Sequence, residues 1–328
     1  MKKLMLILAA CVVCVSARAQ QTLLLKDINI RDPYILPDRK AGVYYMYRSS
    51  SVTAADGTVR GGVEEFRSRD LEHWEGPTRV FTVPDDNWIT GRVWAPEVHR
   101  YKGRYYLFAT LNSDIEWKKR RDSHPAYTMR GTQIFWSKSP EGPFVAFDDR
   151  MPATPMDEMA LDGTLWVENG KPYMVYCHEW VQEGDGSMKV VELKRDLSGR
   201  AGTPVRLFHA SAAAWATGSD APVERRTYVT DGCFLYRTKG GKLLMIWSSF
   251  GKEGYAVGIA ESVTGKVTGP WRHRPEPLFS RDGGHGMLFR DFDGGLNIVM
   301  HAPNSPGGAE RAVILPLEER DDMLYVKQ

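Results

Sequence analysis

Cysteine is scarce in this chain. Four occur among 328 residues, and two of them, Cys11 and Cys14, lie in an N-terminal segment with the marks of an export signal. Lys2 and Lys3 give it a positive start, and Leu4 to Val15 is mostly apolar. Ala17-Arg18-Ala19 then places small residues where a signal peptidase cuts. The expected leader is residues 1–19, and the exported chain, periplasmic or extracellular, runs from 20 to 328 as one domain. Leu8-Ala9-Ala10-Cys11 also resembles a lipobox, which makes lipoprotein anchoring the secondary expectation. Cys177 and Cys233 remain, too few for a disulfide framework. Each follows an apolar or aromatic run, so buried free thiols are expected, with a single disulfide as the alternative.

Other absences exclude whole classes. The leader's apolar stretch falls short of the roughly 20 residues a membrane-spanning helix needs. Neither charge dominates: 43 basic residues face 41 acidic ones, and losing Lys2, Lys3 and Arg18 brings the two closer still. With no sustained basic patch, nucleic acid is not an expected partner. No HExxH, paired CxxC, Walker loop or GxSxG stands out. Helical periodicity is weak throughout, and no linker or charge run divides the chain.

What the sequence does have is repetition. Five times a small or acidic residue opens a short apolar strand, and a Gly-containing turn leads into a second, aromatic-rich or apolar strand. The openings are Asp32-Pro33-Tyr34, Ala95-Pro96-Glu97, Asp162-Gly163-Thr164, Asp231-Gly232-Cys233 and His285-Gly286-Met287. The second strands include Val43 to Tyr47, Arg104 to Phe108, Pro172 to Tyr176, Leu243 to Trp247 and Leu296 to Met300. Each pair reads as a β-hairpin, and most are followed by more strand-like sequence. The openings recur roughly every 55 to 70 residues, too regularly for a β-sandwich or jelly roll. Five units of about four strands describe an all-β fold, a five-bladed β-propeller.

In a propeller the first strand of each blade lines the axis, so Asp32, Asp162, Asp231 and His285 should converge at one mouth. Carboxylates gathered together keep at least one of them protonated near neutral pH. A protonated acid beside an ionised one is what glycoside hydrolysis requires.

The same residues carry a family resemblance. Arg31-Asp32-Pro33-Tyr34, Trp94-Ala95-Pro96-Glu97-Val98, Leu161-Asp162-Gly163-Thr164-Leu165-Trp166, Asp231-Gly232-Cys233-Phe234-Leu235-Tyr236-Arg237 and Gly284-His285-Gly286-Met287 resemble glycoside hydrolase family 43. That resemblance implies an inverting enzyme without a catalytic cofactor, acting on oligo- or polysaccharide. It implies Asp32 as the general base and Asp162 as the residue that tunes and orients the acid. It also implies Trp94 as an apolar wall, and His285 as an axial residue beside a structural Ca²⁺ or water cluster. The acid itself departs from the pattern. The family usually has Glu-Gly-Pro where this chain has Asp231-Gly232-Cys233. Asp231, Asp220 and Glu224 are therefore all candidates, the last two from the loop Ser219 to Glu224.

Further expectations are less specific. His178 and Glu179 follow the third hairpin and are candidates for contacting sugar, with a plain surface loop as the alternative. Glu64 and Glu65 read as an exposed edge pair. The segment from Leu111 to Thr132, charged and holding Trp117, is expected to wall one end of the groove and favour removal of terminal sugars. Exo-acting α-L-arabinofuranosidase is accordingly the first expected activity, ahead of endo-arabinanase, β-xylosidase and β-galactosidase. A catalytically silent carbohydrate-binding propeller is the rival from another class.

Overall fold

A computed structural model describes residues 22–53, 55, 57–118, 125–218 and 226–327. The expected leader, and the loop that carries Asp220 and Glu224, lie outside the described residues. The described residues form five small antiparallel sheets. The first holds β1 (Thr22–Leu24), β2 (Tyr34–Asp38), β3 (Val43–Thr53), β4 (Val59–Ser68) and β5 (His73–Thr82). The second holds β6 (Arg92–Tyr101), β7 (Arg104–Lys118), β8 (Tyr127–Ser137) and β9 (Val145–Ala146). In the third are β10 (Ala160–Glu168), β11 (Lys171–His178), β12 (Ser187–Glu192) and β13 (Val205–His209). The fourth consists of β14 (Asp231–Arg237), β15 (Leu243–Gly251), β16 (Gly254–Ser262) and β17 (Trp271–His273). The fifth consists of β18 (Gly284–Arg290), β19 (Leu296–Ala302), β20 (Arg311–Arg320) and β21 (Met323–Val326).

Apart from β1, consecutive strands pair within each sheet, and a Gly turn joins the first strand of each blade to the second. The second strand of a blade is covered on both faces by its neighbours, so it reads as a continuous apolar run rather than an alternating one. Tyr44, Tyr45, Met46 and Tyr47 of β3 are all buried. The inner strands β2, β6, β10, β14 and β18 each touch the next, and the last touches the first. This closed ring is the five-bladed propeller. Its closure is reinforced by the stretch between β1 and β2. β1 pairs with the outer strand β5, and Asn29 then bridges to Arg311 of the fifth blade. Among the described residues no helix is long and apolar enough to cross a membrane.

The core lies between blades rather than at the axis. Trp74, Phe66 and Tyr47 fill one such layer, and Trp247, Met245 and Val175 another. Each large side chain so buried contributes about 1.5–3 kcal/mol relative to exposure. Cys177 and Cys233 are free thiols in the layer between blades 3 and 4. The Cys233 thiol donates to the carbonyls of Asp162 and Val175 at 3.3 and 3.4 Å. The reading of Glu64 and Glu65 as an exposed edge is corrected. β4 is an interior strand, flanked by β3 and β5, and Glu65 is fully buried with Arg67 at 2.6 Å. Glu64 accepts from Arg48 and Arg79, both at 3.0 Å.

Candidate active site

Four of the five inner strands begin with a register shift, after Trp94, Leu161, Asp231 and Gly284. The residue that follows is left-handed each time: Ala95 (φ 42°), Asp162 (56°), Gly232 (53°) and His285 (52°), matched in the first blade by Asp32 (52°). Asp and His tolerate this region better than most side chains, and Gly adopts it freely. The repeat register read from sequence is therefore one residue out in the fourth blade. Gly232, and not Asp231, is the counterpart of Asp32, Asp162 and His285. Asp231 takes the place of Arg31, Trp94, Leu161 and Gly284. Its side chain leaves the backbone at a different point from those of the axial residues.

Each left-handed N–H needs an acceptor, and the second strand of the preceding blade supplies most of them. Thr110 accepts from Asp162 at 2.8 Å, Ser248 from His285 at 2.8 Å and His301 Nδ1 from Asp32 at 3.3 Å. In the third blade the corresponding residue is Cys177, because Thr110, Cys177, Ser248 and His301 hold equivalent ladder positions. A thiol is a weak acceptor. The Gly232 N–H instead donates to Asp162 Oδ2 at 3.1 Å. Asp162 thus grips the backbone immediately after Asp231.

The three carboxylates and His285 line one cavity of about 370 Å³, together with Arg31, Trp94, Glu179, Trp180, Phe250 and Tyr255. His285 Nδ1 lies 3.2 Å from Asp32 Oδ1 and 3.7 Å from Asp162 Oδ2. His301 Nδ1 is a further 3.2 Å neighbour of Asp32 Oδ1. Burial alone would raise the Asp32 pKa, but His285 and Arg31 hold it well below the usual carboxylate range. Asp162 and Asp231 go the other way. Burial pushes both up, and the charge on Asp32 adds to it, against the pull of His285. Burial disfavours a charge on His285, yet the carboxylates around it push its pKa up. One carboxylate stays ionised while the other two compete for a proton, which separates a base from an acid.

The residues expected at the rim divide. Trp94 lines the cavity, with the Arg130 guanidinium 4.4 Å from its ring centre. Glu179 also lines it and is bonded to Arg130. His178 is a correction: it is buried away from the cavity, with Nε2 2.7 Å from Gln182 and Nδ1 3.3 Å from Glu183. Alternation along the chain turns consecutive side chains to opposite sides, so only one of the pair lines the cavity. Asp220 and Glu224 lie outside the described residues. Arg130, Tyr255 and His301 carry no signal in the sequence, because they sit on second and third strands where the repeat gives no cue. The pairing of Arg130 with Glu179 is nearly buried, at 8% and 13% side-chain exposure. Breaking it in Glu179→Ala leaves a buried cation without its counter-charge, with Asn112 at 2.7 Å, Thr128 at 3.5 Å and the Trp94 ring as its neighbours. A stability loss of about 3 kcal/mol is expected in urea unfolding. A loss below about 0.5 kcal/mol would mean that water already solvates the pair.

Any Ca²⁺ beside His285 would have to be held mostly through water. Among the described residues no group of three or more His, Cys, Asp or Glu side chains is arranged to hold a metal. His285 directs Nδ1 at Asp32 and Asp162, and Ca²⁺ takes six to eight oxygen ligands rather than imidazole.

A closed five-bladed ring with a cluster of divided carboxylates at one mouth defines a class, and the chain's family model matches it. Residues 26–322 match the glycosyl hydrolases family 43 model, and the chain belongs to that family. It is a glycosidase of the inverting type that the resemblance implied. Among solved structures it is similar to the endo-arabinase of Bacteroides thetaiotaomicron VPI-5482, with 37% identity and a TM-score of 0.79. That likeness covers 91% of this chain and 98% of the other. The fold is shared with an α-L-arabinofuranosidase from Lactobacillus brevis, 19% identical over 90% of this chain and 93% of that one, with a TM-score of 0.67. A stretch of 92 residues, 27% of this chain, is 29% identical to alpha-L-arabinofuranosidase 43 of Humicola insolens. It spans only 17% of that protein's length.

Proposed function

We propose that this chain is an exported hydrolase of α-L-arabinofuranosyl linkages in arabinan-type polysaccharide, cutting within the chain. Asp32 is the base that takes a proton from water. Asp231 is the acid that protonates the leaving oxygen, and Asp162 holds the acid's backbone in place. The observation that carries the chemistry is the division within one buried cluster, where Asp32 is held ionised and Asp231 is pushed toward its protonated form. The sugar is supported by the endo-arabinase likeness, which runs over nearly the whole of both chains.

Internal cutting is supported by the rim. None of the described residues between Leu111 and Thr132, expected to wall the groove, lines the cavity. Asn112 to Ile115 instead border a second cleft of about 490 Å³, with Val59, Trp88 and Arg92. Arg92, which borders that cleft, and Trp94, which lines the cavity, are two residues apart on β6, about 7 Å along the strand. The expected products from linear arabinan are oligosaccharides, with an early fall in viscosity and slow release from the nitrophenyl arabinofuranoside. Release of free arabinose alone would return the assignment to an exo-acting arabinofuranosidase. No cleavage of either substrate, with turnover of a xyloside, would overturn the sugar.

A further inference from the structure

Asp231 is one methylene shorter than the family's usual Glu, and something must hold so short an acid at its working position. The Tyr255 hydroxyl donates to Asp231 Oδ2 at 2.8 Å. Tyr255 is almost fully buried and lines the same cavity. Its place is built rather than incidental. Its backbone N–H donates to Asp282 Oδ1 at 3.2 Å, and its carbonyl accepts from Gly283 at 2.9 Å. Its ring stacks on His301 with centroids 5.7 Å apart, and His301 holds Asp32. A Cβ added to Gly284 would stand 2.5 Å from the Tyr255 ring, so only glycine there leaves room for it. Burial beside Asp231 and Asp32 keeps the phenol protonated and therefore a donor.

We propose that Tyr255 is the positioning residue of the acid, fixing the Asp231 carboxyl and setting how firmly it holds its proton. The inference rests on Asp231 being the acid. The other groups that bear on Asp231 are Asp32 and Arg31 at the start of the first blade, Asp162 on β10, Glu179 at the rim and His285 on β18. A donor to a carboxylate favours its ionised form. Removing the donor therefore raises the acid's pKa.

The test is the pH profile of kcat/KM for Tyr255→Phe on arabinan oligosaccharide and on aryl arabinosides. The basic limb is expected to move up by about one pH unit, since a hydrogen bond to a charged group is worth roughly that shift. At the optimum, kcat on the oligosaccharide should fall about ten-fold, with a smaller loss on an activated aryl leaving group. Site-specific 3,5-difluorotyrosine at 255 keeps the shape and strengthens the donor, and should move the limb down. That variant also serves if Tyr255→Phe does not fold. An unmoved limb with equal losses on every leaving group would reduce Tyr255 to a wall of the cavity. Asp231→Asn run alongside separates the two ideas. If it retains activity on oligosaccharide, the acid assignment itself has failed, whatever Tyr255 does.

Discussion

Asp32→Asn is expected to lower kcat on arabinan oligosaccharide by about 10³- to 10⁴-fold while leaving KM within a few-fold. Asn has nearly the shape of Asp and keeps the left-handed backbone tolerable. Its backbone N–H still reaches His301. What it cannot do is accept a proton from water. The loss is therefore chemical, and it should be the same for good and poor leaving groups, because water must be activated in either case. Steady-state kinetics on an oligosaccharide and on two aryl arabinosides check this directly. A variant retaining a tenth or more of the activity would mean that another group activates the water. The prediction carries weight because Asp32 is the one carboxyl of the cluster held well below its ordinary range, by His285 and Arg31 against the opposing effect of burial.

Much of this fold is legible in the sequence because the repeat punctuates itself. A Gly turn joins each inner strand to a second strand that is apolar on both sides, and that pattern marks a blade covered by two neighbours. The convergence of Asp32, Asp162 and His285 follows from the same pattern. The fourth blade reads one residue out because the sequence aligns carboxylates, whereas the fold aligns backbone conformation. The shared requirement is a left-handed residue, met by Asp, Ala or His in four blades and by Gly232 in the other. A Cβ at Gly232 would lie 2.8 Å from His285, so glycine is favoured by space as well as by φ. Aligning Gly232 with Asp162 puts Asp231 beside Leu161, off the axis. The residues that support the site are not legible. Tyr255 reaches Asp231 across β15 within the fourth sheet, and His301 reaches Asp32 because the fifth blade packs against the first. No local pattern encodes that approach. His178 and Glu179 show the opposite limit: neighbours in sequence, they diverge because the chain turns one side chain in and the other out.

Asp231→Asn should divide substrates by leaving group. Protonation matters most when the departing oxygen is a poor leaving group, as in a sugar hydroxyl, and least when an activated phenolate leaves by itself. About a 10³-fold fall is expected on arabinan oligosaccharide, with activity on an activated aryl arabinofuranoside within about ten-fold of wild type. The basic limb of the pH profile should disappear for the aryl substrate, because no acid remains to be deprotonated. Asp220→Asn and Glu224→Gln provide the internal comparison and should leave that limb intact. If either of them shows the split instead, Asp231 is not the acid. Its raised pKa would then belong to a proton shared with Asp162, and Tyr255 would steady that shared site. Equal loss on every substrate in Asp231→Asn would point elsewhere again. It would show that the carboxylate is needed to keep the site in order through its bond from Tyr255 rather than to give up a proton. The leaving-group split thus separates a proton donor from a structural anchor, the two roles open to a short carboxyl held by the Tyr255 hydroxyl.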